Sequence, residues 1–287
     1  MTILQKIRSF LFLPLIILTM ITTPRALDTE TAQMKSQKLF VMQQAVAAGQ
    51  GITTDGEYFY TSGAATWLKM TALTKIDVKT MEMTKQNLNP LPKECKARGN
   101  NHIGCISYYN GKIYAPVEGG NIQKACIVVY DPKTLEATGE IYDLPQEKFD
   151  YGIPWLAVDP DTGLLYASQF HHAQTIYVYD ANDNMSFVKE IPLTGIGELD
   201  RAQGGEFYNG YLYLSQDSHD NGTLKRLLKV DVATGEITVA AERDVNGKNI
   251  ESEGMTFLIK DGTPSLYVLD YNKLIGVFLR EYSVLLG

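Results

Sequence analysis

Short runs of alternating apolar and polar residues, broken by Asp-Gly and Asn-Gly dipeptides, fill the chain from about residue 50 onward. The dipeptides are Asp55-Gly56, Asn110-Gly111, Asn209-Gly210 and Asp261-Gly262, with Asp161-Thr162-Gly163 as a longer version. These residues accept positive φ at little cost, which tight hairpins require, so each break predicts a turn between two strands. The strand after each turn is of one kind: Tyr58-Phe-Tyr-Thr-Ser62, Lys112-Ile-Tyr-Ala-Pro116, Leu164-Leu-Tyr-Ala-Ser168, Tyr211-Leu-Tyr-Leu-Ser215 and Ser265-Leu-Tyr-Val-Leu269. Its central tyrosine recurs as Tyr60, Tyr114, Tyr166, Tyr213 and Tyr267, at separations of 54, 52, 47 and 54 residues. A third strand ends in aspartate in four of the repeats, at Asp77, Asp131, Asp180 and Asp231. Three of these continue as Asp-x-x-Thr, with Thr80, Thr134 and Thr234, which is side-chain turn chemistry opening a further hairpin.

Five repeats of about 50 residues, each with four short strands, predict radial repetition of small antiparallel sheets. The expected fold is therefore an all-β, five-bladed β-propeller with four antiparallel strands per blade. Nothing after residue 30 carries a helical period. The last repeat has only one strand after Tyr267, from Lys273 to Tyr282, and so lacks a fourth. Lys38-Leu-Phe-Val-Met-Gln-Gln44 is placed to supply it, closing the ring and covering its open edge. The expected division is residues 1–26 as a signal peptide, 27–37 as an N-terminal segment and 38–287 as a single propeller domain.

The N-terminus has a different texture. Lys6 and Arg8 precede an apolar run from Phe10 to Ile21, and Thr-Thr-Pro-Arg-Ala26 follows. A basic start, about a dozen apolar residues and a small residue before a polar stretch is the layout of a secretory signal. The run is short for a spanning helix, which needs roughly 20 residues. Cleavage after Ala26 gives a secreted or periplasmic protein; the alternative is an uncleaved anchor. The formal charge of −7, with no basic cluster, argues against nucleic acid or an anionic membrane surface as partner. Three cysteines, Cys95, Cys105 and Cys126, fit export. Cys105 and Cys126 fall on the first and third strands of one repeat, about twice the 4.8 Å strand spacing apart, beyond disulfide reach. Cys95, in a loop, could bridge to either. No Cys-x-x-Cys or Cys/His spacing suggests zinc. Asn184-Met-Ser186 and Asn221-Gly-Thr223 match the glycosylation acceptor pattern.

Chemistry is expected on one face. In a four-stranded meander the connections alternate ends, so the tight Asp-Gly and Asp-x-x-Thr turns share a plain face. The linkers into each repeat and the loops after second strands share the other, where function is usually grafted. Gln50, His102, Pro154, Gln203 and Glu253 enter the first strands there, and Glu118, His171, His172, Asp217, His219, Asp270 and Tyr271 follow second strands. All four histidines fall on this face. His102 is the candidate general base or metal ligand, since neutral imidazole serves either role near pH 7. Glu253 or Glu206 would be its acid partner, Glu206 being the charged residue that breaks an inner strand. Gln50, Glu118, His171, Gln203, Asp217 and Tyr271 are candidate ligand-binding residues. A carboxylate mouth with histidine suits a divalent cation such as Ca²⁺, or a transition metal. The plainer alternatives are that His102 and Glu253 seal the channel mouth, His171-His172 is a surface pair and Glu206 pairs with Arg201.

Gln50-Gly-Ile-Thr-Thr-Asp-Gly56, Val178-Tyr-Asp180, Lys229-Val-Asp-Val-Ala-Thr-Gly235 and Glu253-Gly-Met-Thr-Phe257 resemble the propeller repeats of glutamine cyclotransferases. They also resemble the YVTN-type and quinoprotein amine dehydrogenase β-chain-like superfamily, over residues 38–287. The resemblance is architectural: it implies an exported five-bladed propeller and assigns no catalytic role to a residue of this chain. The expected function is binding of a small molecule, peptide or protein partner on the polar face at the channel. The alternative is a hydrolase, lyase or cyclotransferase-type enzyme with a His/Glu site at the same mouth.

Overall fold

The computed structural model describes residues 30–65, 68, 70–119, 125–196, 199–217, 225–243, 245 and 249–283. The proposed signal segment 1–26, His219 and the acceptor pattern at Asn221 lie outside them. The described chain is all-β, as expected from the sequence. After β1 (Glu30–Phe40) and the five-residue helix α1 (Gln43–Ala47), β2 (Gly51–Thr54), β3 (Tyr58–Ala65), β4 (Met70–Asp77) and β5 (Met83–Asn87) form an antiparallel sheet in chain order. A second short helix, α2 (Lys93–Ala97), leads into a five-stranded sheet. There β6 (Asn100–Ile103) and β7 (Ser107–Tyr109) both pair with β8 (Lys112–Gly119), and β9 (Cys126–Tyr130) and β10 (Ala137–Asp143) follow outward. A third sheet holds β11 (Trp155–Val158), β12 (Leu164–Ser168), β13 (Thr175–Asp180) and β14 (Ser186–Pro192). The rest is one sheet of eight. Four strands, β15 (Ala202–Tyr208), β16 (Tyr211–Gln216), β17 (Lys225–Asp231) and β18 (Glu236–Arg243), run in order up to β1. Beyond β1 lie β21 (Gly276–Ser283), β20 (Thr263–Asn272) and β19 (Ile250–Lys260).

β1 joins the two halves of that sheet. It runs parallel to β18 over Glu30–Ala32 and antiparallel to β21 from Gln33 to Phe40. The sequence places this strand at residues 38–44; the structure has it eight residues earlier, and Gln43–Ala47 turn helical instead. From Gln33 to Leu39 every residue of this strand is exposed, so no apolar alternation marks it. Neither helix was expected. Each is five residues long and lacks a side-chain cap, so neither leaves a period or a start signal in the sequence.

The turns behave as their residues predict. Asn110-Gly111, Asn209-Gly210 and Asp261-Gly262 all have positive φ at both positions. Asp77 Oδ1 accepts from the amides of Lys79 and Thr80, and Asp131 Oδ1 from those of Lys133 and Thr134. Val78 N–H donates to Glu57 O, and Ala181 N–H to Gly163 O, tying the third-strand turn of each sheet to its hairpin turn. Both kinds of turn therefore lie on one face.

The core is partitioned by the recurring tyrosine. Five apolar clusters lie between successive sheets, and Tyr60, Tyr114, Tyr166, Tyr213 and Tyr267 each belong to a different one. The cluster of Tyr267 joins Leu258 and Leu279 to Ile52, Phe59 and Ile76, so the end of the chain packs on its beginning. The first strands also meet neighbour to neighbour: β2 touches β7 and β19, β19 touches β15, β15 touches β11, and β11 touches β7. Backbones pack closely where they meet. A methyl group on Gly51 would lie 2.5 Å from Cys105 Cα, and one on Gly254 would lie 2.6 Å from Gly51 Cα. Only glycine allows that approach.

Candidate functional site

The polar end of the inner strands is built from backbone first. Gly254 N–H donates to Gln50 O at 2.8 Å, and Cys105 N–H to Pro154 O at 2.8 Å, so neighbouring sheets are stitched together where their first strands begin. Side chains stand around this stitched rim. His102 on β6 lies opposite Glu118 on β8 in the ladder, which places the two side chains together on one face. His102 Nε2 is 2.7 Å from Gln50 Oε1. The Gln50 amide nitrogen donates to Gly49 O, so its oxygen is the acceptor and the imidazole the donor. His102 Nδ1 faces Glu118 Oε1 at 3.2 Å, and Glu118 Oε2 accepts the Ile153 amide at 2.7 Å. Gln50, His102 and Glu118 thus form a line crossing from the first sheet to the second.

Gln50 is also the inner wall of a cavity of about 380 Å³ between α1 and the β20–β21 turn. Tyr271 and Lys273 supply its polar lining, and Met42, Leu274 and Ile275 its rim. That rim is unusually open, with Met42 88% and Leu274 79% exposed. Met42 also holds a positive φ of 51° at the start of α1, a backbone conformation uncommon for any residue but glycine.

A second group of expected residues gathers next door. Asp217, buried after β16, accepts from Lys225 Nζ and from Arg201 Nη2, and the Ser252 amide approaches the same oxygen as Lys225. Arg201 also lies 3.9 Å from Glu251, which pairs with Lys273 at 2.8 Å. Glu253 is buried beside this group and makes no side-chain hydrogen bond among the described residues. Burial, then the nearby Glu251 and Asp217 charges, push its carboxyl well above the ordinary range, with Arg201 opposing. Burial thus favours the protonated form of Glu253.

Glu206 stands apart. Its carboxyl accepts from Thr256 at 3.1 Å and Thr53 at 3.4 Å, and from the Phe207 amide at 3.1 Å, all toward the tight-turn end of the inner strands. Burial pushes it up to about 7, with those three donors pulling the other way. Arg201 is not its partner. No hydrogen bond or ion pair joins His102, Glu206 and Glu253 among the described residues. His171 pairs through Nδ1 with Asp200 at 2.7 Å, its ring against Phe170 and edge-on to Tyr151. Gln203 is half-buried on β15. No group of three or more His, Cys, Asp or Glu among the described residues is placed to hold a metal ion.

Sequence reading missed the strongest electrostatic feature. Asp270, wholly buried, accepts from Arg243 through both oxygens, at 2.7 and 3.0 Å, and from Arg280. Arg243 also donates to Ser252 Oγ at 2.7 Å. The signal was present: Arg243 lies two residues after the buried Ala241 of β18, where strand alternation predicts another inward, apolar position.

No known protein-family profile matches the chain, and no curated protein matches it either. Among solved structures it is similar to the tail fiber of Staphylococcus aureus phage P68, at 16% identity over 87% of this chain and 53% of that one, with a TM-score of 0.55. It is similar to 1,3Gal43A, an exo-β-1,3-galactanase from Clostridium thermocellum, at 14% identity, covering 86% of this chain and 61% of that one, TM-score 0.56. It is also similar to RS223-β-xylosidase, at 13% identity over 88% and 95%, TM-score 0.54. At these identities the likeness is one of fold. The chain spans about half the length of the tail fiber.

Proposed function

We propose that the chain is an exported five-bladed β-propeller that binds a small ligand on its polar face, in the cavity walled by Gln50. Three features support the five-bladed reading: five tyrosine-centred clusters, the cycle of contacts among first strands, and the pairing of β1 with β21 that completes the last sheet. The observation that carries the binding reading is the Gln50–His102 hydrogen bond at the cavity wall. It fixes an amide and an imidazole beside a concave surface with an apolar rim, the usual make-up of a small-molecule site. The ligand this lining favours has a polar group to meet Gln50, Tyr271 or Lys273, and an apolar part to cover Met42, Leu274 and Ile275. Binding is favoured over catalysis because His102, bonded to Gln50, and Glu206, bonded to Thr53 and Thr256, have separate partners, and no hydrogen bond joins either to Glu253 among the described residues.

A thermal-shift screen of metabolites and divalent cations on the full chain tests this. A true ligand at a hundredfold excess over its Kd raises Tm by about 5–10 °C. The shift is lost in Gln50→Ala and His102→Ala; a shift intact in both variants removes the ligand from this cavity.

One observation favours a second reading. Glu253, a buried carboxyl pushed upward by burial and lying near Asp217 and Arg201, is the kind of group a hydrolase, lyase or cyclotransferase uses for proton transfer. On that reading Glu253→Gln abolishes turnover of a substrate whose binding it leaves intact. A variant with unchanged turnover excludes it.

A further inference from the structure

Cys95 and Cys126 face each other inside the second apolar cluster, with their sulfurs 3.9 Å apart. Both side chains are fully buried. Cys95 is the one buried residue of α2, the helix in the linker between the first and second sheets, and Cys126 opens β9. Cys105 belongs to a different cluster, packed with Trp155, where its sulfur meets main-chain groups, the Ile106 carbonyl among them. Two of the three thiols are thus a facing pair, and the third is set apart by a layer of β-sheet. We propose that Cys95 and Cys126 form a structural disulfide when the chain folds in an oxidising compartment, leaving Cys105 as a free thiol.

The chemistry needs a small-molecule disulfide as oxidant. The Cys95 thiolate attacks one sulfur of that disulfide and expels a thiolate, leaving a mixed disulfide on Cys95. Cys126, deprotonated, then attacks Cys95 Sγ, closing the Cys95–Cys126 bond and expelling the second thiolate. Two protein thiols lose two electrons in all, the oxidant becomes two thiols, and the protons pass to them. The order of attack follows from the surroundings. The Cys126 thiol beside Cys95, then the Arg98 guanidinium at the end of α2, draw Cys95 below the usual thiol range, while Cys126 is held above it by the same contact and by burial. Closing the bond requires the sulfurs to approach by about 2 Å, toward the ~2.05 Å of a disulfide. Arg98 and Asp143 form an ion pair across the linker and the end of β10, holding the two elements together around the pair.

The bond's mechanical effect reaches the proposed site. α2 runs directly into β6, which carries His102, so the cross-link anchors that strand's entry to β9.

The test is a thiol count on the full chain, refolded in a mixture of reduced and oxidised glutathione. One free thiol per chain is expected under denaturing conditions, with an intact mass lighter by two hydrogens and a single cross-linked peptide pair joining Cys95 to Cys126. Cys105→Ser, prepared the same way, shows no free thiol. Reduction lowers Tm by about 5–10 °C, the range for a bond closing a loop of this length in a domain of this size. Three free thiols, a link involving Cys105, or an unchanged Tm on reduction would each overturn the proposal.

Discussion

Two of the seams between sheets solve the same packing problem in different ways. Between the second and third sheets the side-chain packing is an apolar cluster without buried ion pairs among the described residues, with Ile127, Val129, Phe149, Leu156 and Leu165 closed around Tyr114. Between the β15–β18 and β19–β21 runs, a similar apolar cluster around Tyr213 is overlaid by buried ion pairs: Asp217 with Lys225 and Arg201, and Asp270 with Arg243 and Arg280. An apolar seam relaxes around a lost methylene group. A buried ionic one does not, because every member must keep its partners, and the energetic return over apolar packing is small or negative. The ionic seam is also where β1 joins β18, the single place among the described residues where two runs of four strands share one sheet. Its charges fix one alignment there, a role apolar contacts perform poorly.

The largest expected break in this comparison is Asp270→Ala. It strands Arg243 and Arg280 without a counter-charge in the interior and lowers stability by about 3–5 kcal/mol in denaturant melts. Replacing all three together, Asp270→Leu with Arg243→Met and Arg280→Met, is expected to come close to the original stability. A triple variant as damaged as the single one would mean that the charges contribute stability outright. On the apolar seam, Ile127→Ala costs about 2–4 kcal/mol, the range for a buried aliphatic truncation that leaves a cavity.

A smaller effect comes from Glu206. The folded protein holds its proton to about pH 7, while an unfolded glutamate releases it near 4.5. The folded state therefore binds more protons between those values, and stability falls as pH rises from about 4.5 to 7, then levels off. Glu253, also raised by burial, contributes a slope of the same sign. Glu206→Gln removes about 1–3 kcal/mol of that decline, the lower end because part of the side chain stays open to water. Urea melts at pH 5, 6 and 7 measure it; a variant with the same slope as the original chain excludes Glu206 as its source. Least of all, Lys112→Ala breaks the half-open pair with Glu140 and changes stability by less than about 1 kcal/mol, an effect that high salt erases.

The two seams also differ in how far they could be read from sequence. Tyr60, Tyr114, Tyr166, Tyr213 and Tyr267 repeat because each fills the same gap, so their spacing exposes the apolar packing and the alternating turns directly. Ion pairs leave no such period. Lys225, Arg243 and Arg280 are the residue types expected at the surface, and only the phase of Arg243 within its strand points inward. Of the expected site residues, the meander places Gln50, His102 and Glu118 together, since chain entry and strand register alone bring them to one rim. Glu206 lies on the first strand of the same fold but toward its other end, because a three-residue advance along a strand carries a side chain about 10 Å away. Tyr271 joins the cavity only through the β20–β21 turn and α1, and α1 left no trace in the sequence.

The pairing of β1 with β21 has a consequence for the order of events in the cell. Gln37 and its partner Arg280 are separated by 243 residues. At typical rates of synthesis the strand emerges roughly 10–50 s before the segment it pairs with. An apolar strand waiting that long would offer its edge to any passing chain. β1 waits as Gln33, Lys35, Ser36, Gln37 and Lys38, a polar ribbon that stays dissolved until the remainder arrives.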